Sequence, residues 1–309
     1  MNEEHVPVLL NEVIEGLNIK SDGIYLDLTL GRAGHSSVIL SKLDKGMLIG
    51  LDQDIEAITK SEQRLKNISG NYKLFKSNFV NIKDIISELK IEYVDGILMD
   101  LGVSSPQFDD PSRGFSYREN APLDMRMDTD NPLSAKEIVN NYSIEELTKI
   151  FKEYGDEKYA YSISKNIIKY RLQKPIETTF ELVDIIKASK PMKELSKPGH
   201  PAKQAFQALR IAVNDEINVL EKTLHQIIPL LRAHGGRLLV ITFHSGEDKI
   251  VKNIFREYAV NIGNRNDGPI KEKEKDYRLI NNKVIVAQED ELKINHRSAS
   301  AKLRILERK

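Results

Sequence analysis

Cysteine is absent from the 309 residues, so disulfides, thiolate metal sites and a cysteine nucleophile are excluded together. Long apolar runs are absent too: the longest, Leu238 to Phe243 in RLLVITF, is far too short to span a bilayer. Net charge is zero, with 46 basic residues against 46 acidic, which excludes a globally basic nucleic-acid binder but not a locally basic one. The histidines show no H-x-x-H or H-E-x-x-H spacing, so no metal site is expected. The opening MNEEHVPVLL carries acids where a signal peptide carries Lys or Arg, and a cytoplasmic protein is the expectation. What is present, 40% hydrophobic and 30% charged residues, describes an ordinary globular protein. Its length exceeds one compact domain, so two domains or one with a large insertion are expected.

The first hundred residues alternate between two patterns. Short β-branched runs at Ile24–Leu30, Met47–Leu51, Tyr72–Lys76 and Val94–Leu101 read as strands, the first, second and fourth as buried ones. Helical spacing fills the intervals at Gly34–Leu43, Ile55–Leu65 (behind an Asp54 N-cap) and Ile82–Leu89. This alternation predicts an α/β fold with a doubly wound, mostly parallel sheet, which binds ligands beyond the carboxyl ends of its strands.

The residues at those ends are Asp27, Gly31, Gly34 and His35 after the first strand, Asp52 after the second, Asn78 and Phe79 after the third, and Asp100 after the fourth. Glycines let the chain turn and a ligand approach, and an acid roughly twenty residues on commonly holds ribose hydroxyls. The competing reading is that the glycines only turn the chain and the acids only cap helices. G-x-G-x-x-G is missing, which favours an adenosyl ligand over a dinucleotide.

From Asp100 the sequence runs D-L-G-V-S-S-P-Q-F-D-D-P-S-R-G-F-S-Y-R, then P-L-D-M-R-M-D; H-P-A-K-Q-A-F-Q-A-L-R-I-A-V-N-D-E starts at His200, F-H-S-G-E-D at Phe243 and S-A-K-L-R at Ser300. Together these resemble the ribosomal RNA small-subunit methyltransferase H family along nearly the whole chain. The resemblance implies a Rossmann-like class I methyltransferase with an inserted helical domain. The implied reaction is transfer of a methyl from S-adenosylmethionine to N4 of a decoding-centre cytosine in 16S ribosomal RNA. It implies cofactor contacts at Gly34, His35, Ser36, Asp52, Phe79, Asp100 and Gln107, to which the strand-end reading adds Asp27 and Gly31. The chain departs from the family's usual pattern at Leu28, Ala33, Gly246 and Ala299; the last removes an Arg, and with it one phosphate contact.

From Pro106 to Pro201 the alternation gives way to helical patterns at Ser134–Asn140, Ser143–Tyr154, Lys158–Leu172 and Thr179–Ser189. A helical substrate-recognition domain over 106–201 is therefore expected, between the two parts of the cofactor domain at 1–105 and 202–309. A long helix near Gln204–Leu231 and a strand at Arg237–Phe243 follow. Lys158, Lys165, Lys169, Arg171 and Lys174 carry no acid between them, and Lys187, Lys190, Lys193, Lys197 and Lys203 are offset only by Glu194. The end of the chain adds Lys293, Arg297, Lys302, Arg304, Arg308 and Lys309. Any one run is ordinarily a solvated helix face; three suggest a local RNA-facing surface, with Arg113, Lys203, Arg297, Lys302 and Arg304 as candidates.

For chemistry, Ser105 and a backbone carbonyl are candidates to orient the cytosine amine, beside Asp100, and His244 to place the base or take a proton. The plainer alternatives are a loop that starts the insertion and a satisfied strand-end histidine. Asp124 and Arg126 are expected to pair and lock the insertion to the core. Expected partners are small-subunit ribosomal RNA, within an assembled or nearly assembled subunit, and no membrane, with a homodimer left open. Three competing readings separate by one assay, transfer of labelled methyl to RNA. They are a methyltransferase of the same fold with another RNA or a non-RNA substrate, a non-catalytic RNA-binding protein, and a nicotinamide dehydrogenase.

Overall fold

The computed structural model describes residues 7–260 and 275–309; the acidic opening read against a signal peptide lies outside the described residues. The chain divides into two compact units, one of residues 1–102 and 217–309, the other Val103–Glu216.

The discontinuous unit begins α1 (Leu10–Leu17), β1 (Ile24–Asp27), α2 (Gly34–Ser41), β2 (Met47–Asp52), α3 (Ile55–Leu65), β3 (Tyr72–Lys76), α4 (Ile82–Glu88) and β4 (Gly96–Asp100). The helical unit follows with α5 (Ser105–Asp109), α6 (Ala135–Asn141), α7 (Ile144–Gly155), α8 (Ala160–Arg171), α9 (Thr179–Ala188), α10 (Met192–Leu195) and α11 (Lys203–Asn214). The chain then returns through α12 (Glu216–Ile227), β5 (Arg237–Thr242), α13 (Ser245–Ala259), β6 (Tyr277–Leu279), α14 (Glu289–Ile294) and β7 (Lys302–Arg308).

Seven strands form one sheet in the order β3-β2-β1-β4-β5-β7-β6. The first five run parallel, and β7 enters antiparallel between β5 and β6. This is a Rossmann-like, mostly parallel sheet. Side chains alternate along each strand, so Tyr25, Leu48, Leu98 and Leu239 join one apolar cluster while Leu26, Ile49, Ile97 and Leu238 join another. Burial on both faces explains why the strands read as unbroken apolar runs. Their parallel direction brings the carboxyl ends of β1, β2 and β4 to one edge, which positions the site.

β1 ends at Asp27 rather than Leu30, because the chain turns over the sheet edge toward Gly31, whose φ of +54° is a glycine conformation. The long helix expected near Gln204–Leu231 is two: Asp215, at φ 50°, ends α11 and α12 starts afresh. The boundary expected at Pro201 is therefore one helix early. Phe206, Leu209 and Val213 of α11 are buried in the same apolar core as Leu147 and Phe151 of α7, which places α11 in the helical unit.

Candidate functional site

The turn after β1 is held by the acid that ends β2. Asp52 Oδ2 accepts from Gly31 N–H at 2.8 Å and Oδ1 from Asp54 N–H at 2.9 Å. A Cβ at Gly31 would meet nothing nearer than Thr29 O at 3.9 Å, so the glycine answers the backbone angle and leaves space above it. Asp27 is buried, with Ser36 Oγ donating at 2.6 Å and Thr29 N–H at 3.2 Å. Asp27 and Ser36, both expected to face the ligand, also hydrogen-bond each other and brace the loop.

Asp100 ends β4. Its N–H donates to Thr29 Oγ1 at 2.6 Å, tying the ends of β1 and β4. Its Oδ1 is buried with no hydrogen-bond partner among the described residues. Burial first, then the charges of Asp27 and Glu247, push its carboxyl up to about 8. Burial also lifts Asp27 and Asp52 to about 6 each. His35 is buried and pushed down to about 4, hence neutral. Its Nε2 lies 2.9 Å from Val8 O, which can only accept, so Nε2 carries the proton. The bare Nδ1 then faces Asp100 Oδ2 at 3.9 Å, which adds no cation. Among the described residues no Lys or Arg pairs with Asp27, Asp52 or Asp100. An edge with three acids, an orphaned carboxyl oxygen and an open glycine turn fits a ligand that carries positive charge and hydroxyls.

His244 stands at the N-terminus of α13, where its Nδ1 accepts weakly from Glu247 N–H at 3.4 Å. Glu247 answers by accepting from Phe243 N–H at 2.8 Å and His244 N–H at 3.3 Å. This is a capping box built on histidine, an unusual cap, and so Glu247, though inside the run F-H-S-G-E-D, gave no ordinary capping signal. Thr29 was also missed, though it lies between Asp27 and Gly31.

Phe79 opens a short 3₁₀ turn after β3 and packs, half-buried, on the sheet core. Ser105 and Gln107 belong to the helical unit. Ser105 begins α5, while Gln107 is buried and its Oε1 accepts from Ser104 N–H at 3.2 Å. That is a helix-capping task.

The cations divide. Lys203 and Arg297 are exposed. Arg304 clasps Asp248 through two bonds, at 2.8 and 3.1 Å, with Lys302 Nζ 3.9 Å from the same carboxylate. Arg113 donates to the carbonyls of Arg126 and Met127, both at 3.0 Å. Lys190 forms a buried ion pair with Glu157 at 2.6 Å. Arg113, Arg304 and Lys190 thus each hold a partner within the protein. Asp124 and Arg126 do pair, doubly at 2.8 Å, and Arg126 also donates to Thr129 O and Asn131 O, so the pair closes a loop within the helical unit.

Residues 2–309 match the sequence model of the MraW methylase family. The chain belongs to that family. As a member it is a methyltransferase that uses S-adenosylmethionine, whose sulfonium, ammonium and ribose hydroxyls suit the acidic strand-end edge. Three relatives, each named Ribosomal RNA small subunit methyltransferase H, align end to end with this MraW-family chain. That of Mesoplasma florum is 53% identical over 99% of this chain and 100% of its own length. That of Halothermothrix orenii is 49% identical over 99% and 98%, and that of Clostridioides difficile 48% over 100% of both.

Proposed function

We propose that this protein methylates N4 of a cytosine in the decoding centre of 16S ribosomal RNA. What carries the reading is similarity over the whole chain to relatives named for small-subunit ribosomal RNA methylation. The arrangement at the strand ends supports it. S-adenosylmethionine, when bound, supplies an electrophilic methyl on sulfur. The acceptor is an exocyclic amine whose lone pair is delocalised into the ring, so the protein must hold the amine in line and favour its pyramidal form. Asp52, fixed by two backbone N–H groups, keeps lone pairs for ribose hydroxyls. Asp100 offers its unpartnered Oδ1 to an amine hydrogen. A cation beside this carboxyl favours its ionised form, so it is poised to take the proton lost as the C–N bond forms and the S–CH3 bond breaks. His244, occupied with capping α13, is a positioning residue.

The test is nucleoside mass spectrometry after incubating the protein and S-adenosylmethionine with unmethylated small subunits. The expected product is N4-methylcytidine, absent with Asp52→Ala. No methylated nucleoside, with donor binding shown separately, would leave the methyltransferase standing and sink the RNA reading. Naked 16S RNA run in parallel tells whether the assembled subunit is the substrate.

A further inference from the structure

The helical unit holds a second group of residues with unused chemistry. Tyr117 and His200 stack with ring centroids 4.3 Å apart and planes 11° from parallel, and Phe206 meets Tyr117 edge-on at 5.7 Å. Phe206 is buried, whereas Tyr117 and His200 are half-exposed, so the stack is a rigid platform rooted in the core and open at its outer end. His200 Nδ1 accepts from Ala202 N–H at 3.2 Å. An accepting Nδ1 leaves the ring proton on Nε2, and that N–H has no partner among the described residues.

Around this donor the charge is of one sign. Partial burial, then the cations Lys187, Arg118 and Lys190, hold the imidazole below its ordinary basicity. Lys190 is spent on Glu157 and on Pro201 O. Arg118 and Lys187 are exposed, and among the described residues neither side chain has an ion-pair partner. Lys174 and Lys197, from the same basic runs, each hold a carboxylate, whereas Lys187 holds none among the described residues.

We propose that His200 Nε2–H, Arg118 and Lys187 form a phosphate-binding site for the RNA backbone, separate in the chain from the strand-end acids. A neutral N–H donor fixed by stacking, with two uncompensated cations, suits a phosphodiester: the cations supply attraction and the imidazole supplies direction. The proposal rests on the RNA reading above and adds where the helical unit grips its substrate. Phosphate contacts set register without reading sequence, so this site governs substrate affinity rather than the chemical step.

The test compares wild type with Arg118→Ala/Lys187→Ala and with His200→Phe, which keeps a ring against Tyr117 but lacks the donor. Binding to small subunits is measured across salt concentrations, alongside S-adenosylmethionine affinity and methyl transfer. Each lost phosphate contact lowers the log–log salt slope by roughly 0.7–0.9, and the double variant should bind about ten- to fifty-fold more weakly at 0.1 M salt. His200→Phe should raise KM for the subunit several-fold, with kcat and donor affinity unchanged and the circular dichroism spectrum intact. If wild type transfers methyl to the subunit while both variants keep its affinity and slope, this site is refuted and the RNA reading survives. If wild type transfers no methyl to RNA, both fall.

Discussion

Asp100 joins three properties in one side chain: a strand end, an orphaned oxygen and a carboxyl pushed up to about 8. Asp27 and Asp52 are lifted to about 6, all three from an ordinary value near ~3.9. Because each folded value lies above the unfolded one, the native state holds more protons between these limits. The stability they contribute is complete below about pH 4 and is lost as pH rises through 6 to 8. A cationic ligand reverses the shift and expels protons. Donor affinity should therefore climb from pH 6 to 8, and calorimetry in buffers of different ionisation heat should find proton release at pH 7; a count of zero would contradict the site's electrostatics. Asp100→Asn, which keeps the shape and removes the charge, should lower kcat by about 100-fold or more. At pH 8 it should leave the free protein as stable as wild type or more so.

Ala33 teaches a different lesson at the same scale. It sits buried at φ 56°, the left-handed region, just before α2. The departure from the resembled family pattern noted at this position falls on an angle that glycine adopts freely. Left-handed backbone costs an alanine about 1–2 kcal/mol. Ala33→Gly would remove that strain, but it would lose a buried methyl worth about 0.8 kcal/mol and add about 0.5–1 kcal/mol of chain entropy. The terms nearly cancel, so its denaturation midpoint should match wild type, whereas Ala33→Val, β-branched in the same region, should be markedly destabilised.

Among elements, ends matter more than middles. The α13 N-terminus hangs on Glu247, which holds two backbone N–H groups in a buried position. Glu247→Ala leaves both unmet and should cost about 1–3 kcal/mol in urea denaturation. In the helical unit, Lys190→Met strands the buried carboxylate of Glu157 and should cost about 3–5 kcal/mol, most of it regained in Lys190→Met/Glu157→Leu. Both features explain what could be read beforehand. The helices α3, α6, α7 and α9 lie within a residue or two of their expected limits because Asp54, Ser134, Ser143 and Thr178 cap them in the usual way. α13 was invisible because histidine is no ordinary cap, and the break at Asp215 because no Gly or Pro marks it. The acids at the strand ends were legible, since burial on both faces makes a polar strand end conspicuous. Which of them face a ligand was not, because Ser36 answers Asp27 only once the loop has folded back. The fate of Lys190 and Arg304 was hidden for the same reason: their acids, Glu157 and Asp248, lie far off in sequence.

At the scale of the molecule, each unit has a core of its own. Phe151, Leu147, Ile163 and Leu182 are fully buried within Val103–Glu216. That stretch expressed alone should fold, with a helical circular dichroism spectrum and one cooperative thermal transition; a featureless melt would show that its core is insufficient.

The interruption of the sheet unit also sets a timetable for synthesis. β4 reaches its neighbour β5 only after the whole helical unit has been made. At elongation rates of about 5–20 residues per second, that interval lasts of order ten seconds. Throughout it, four strands wait with the edge of the buried strand β4 bare, the condition under which nascent chains join each other instead of themselves. Correctly folded yield should therefore depend on how fast residues 103–236 are translated, although nothing in the finished protein records the delay.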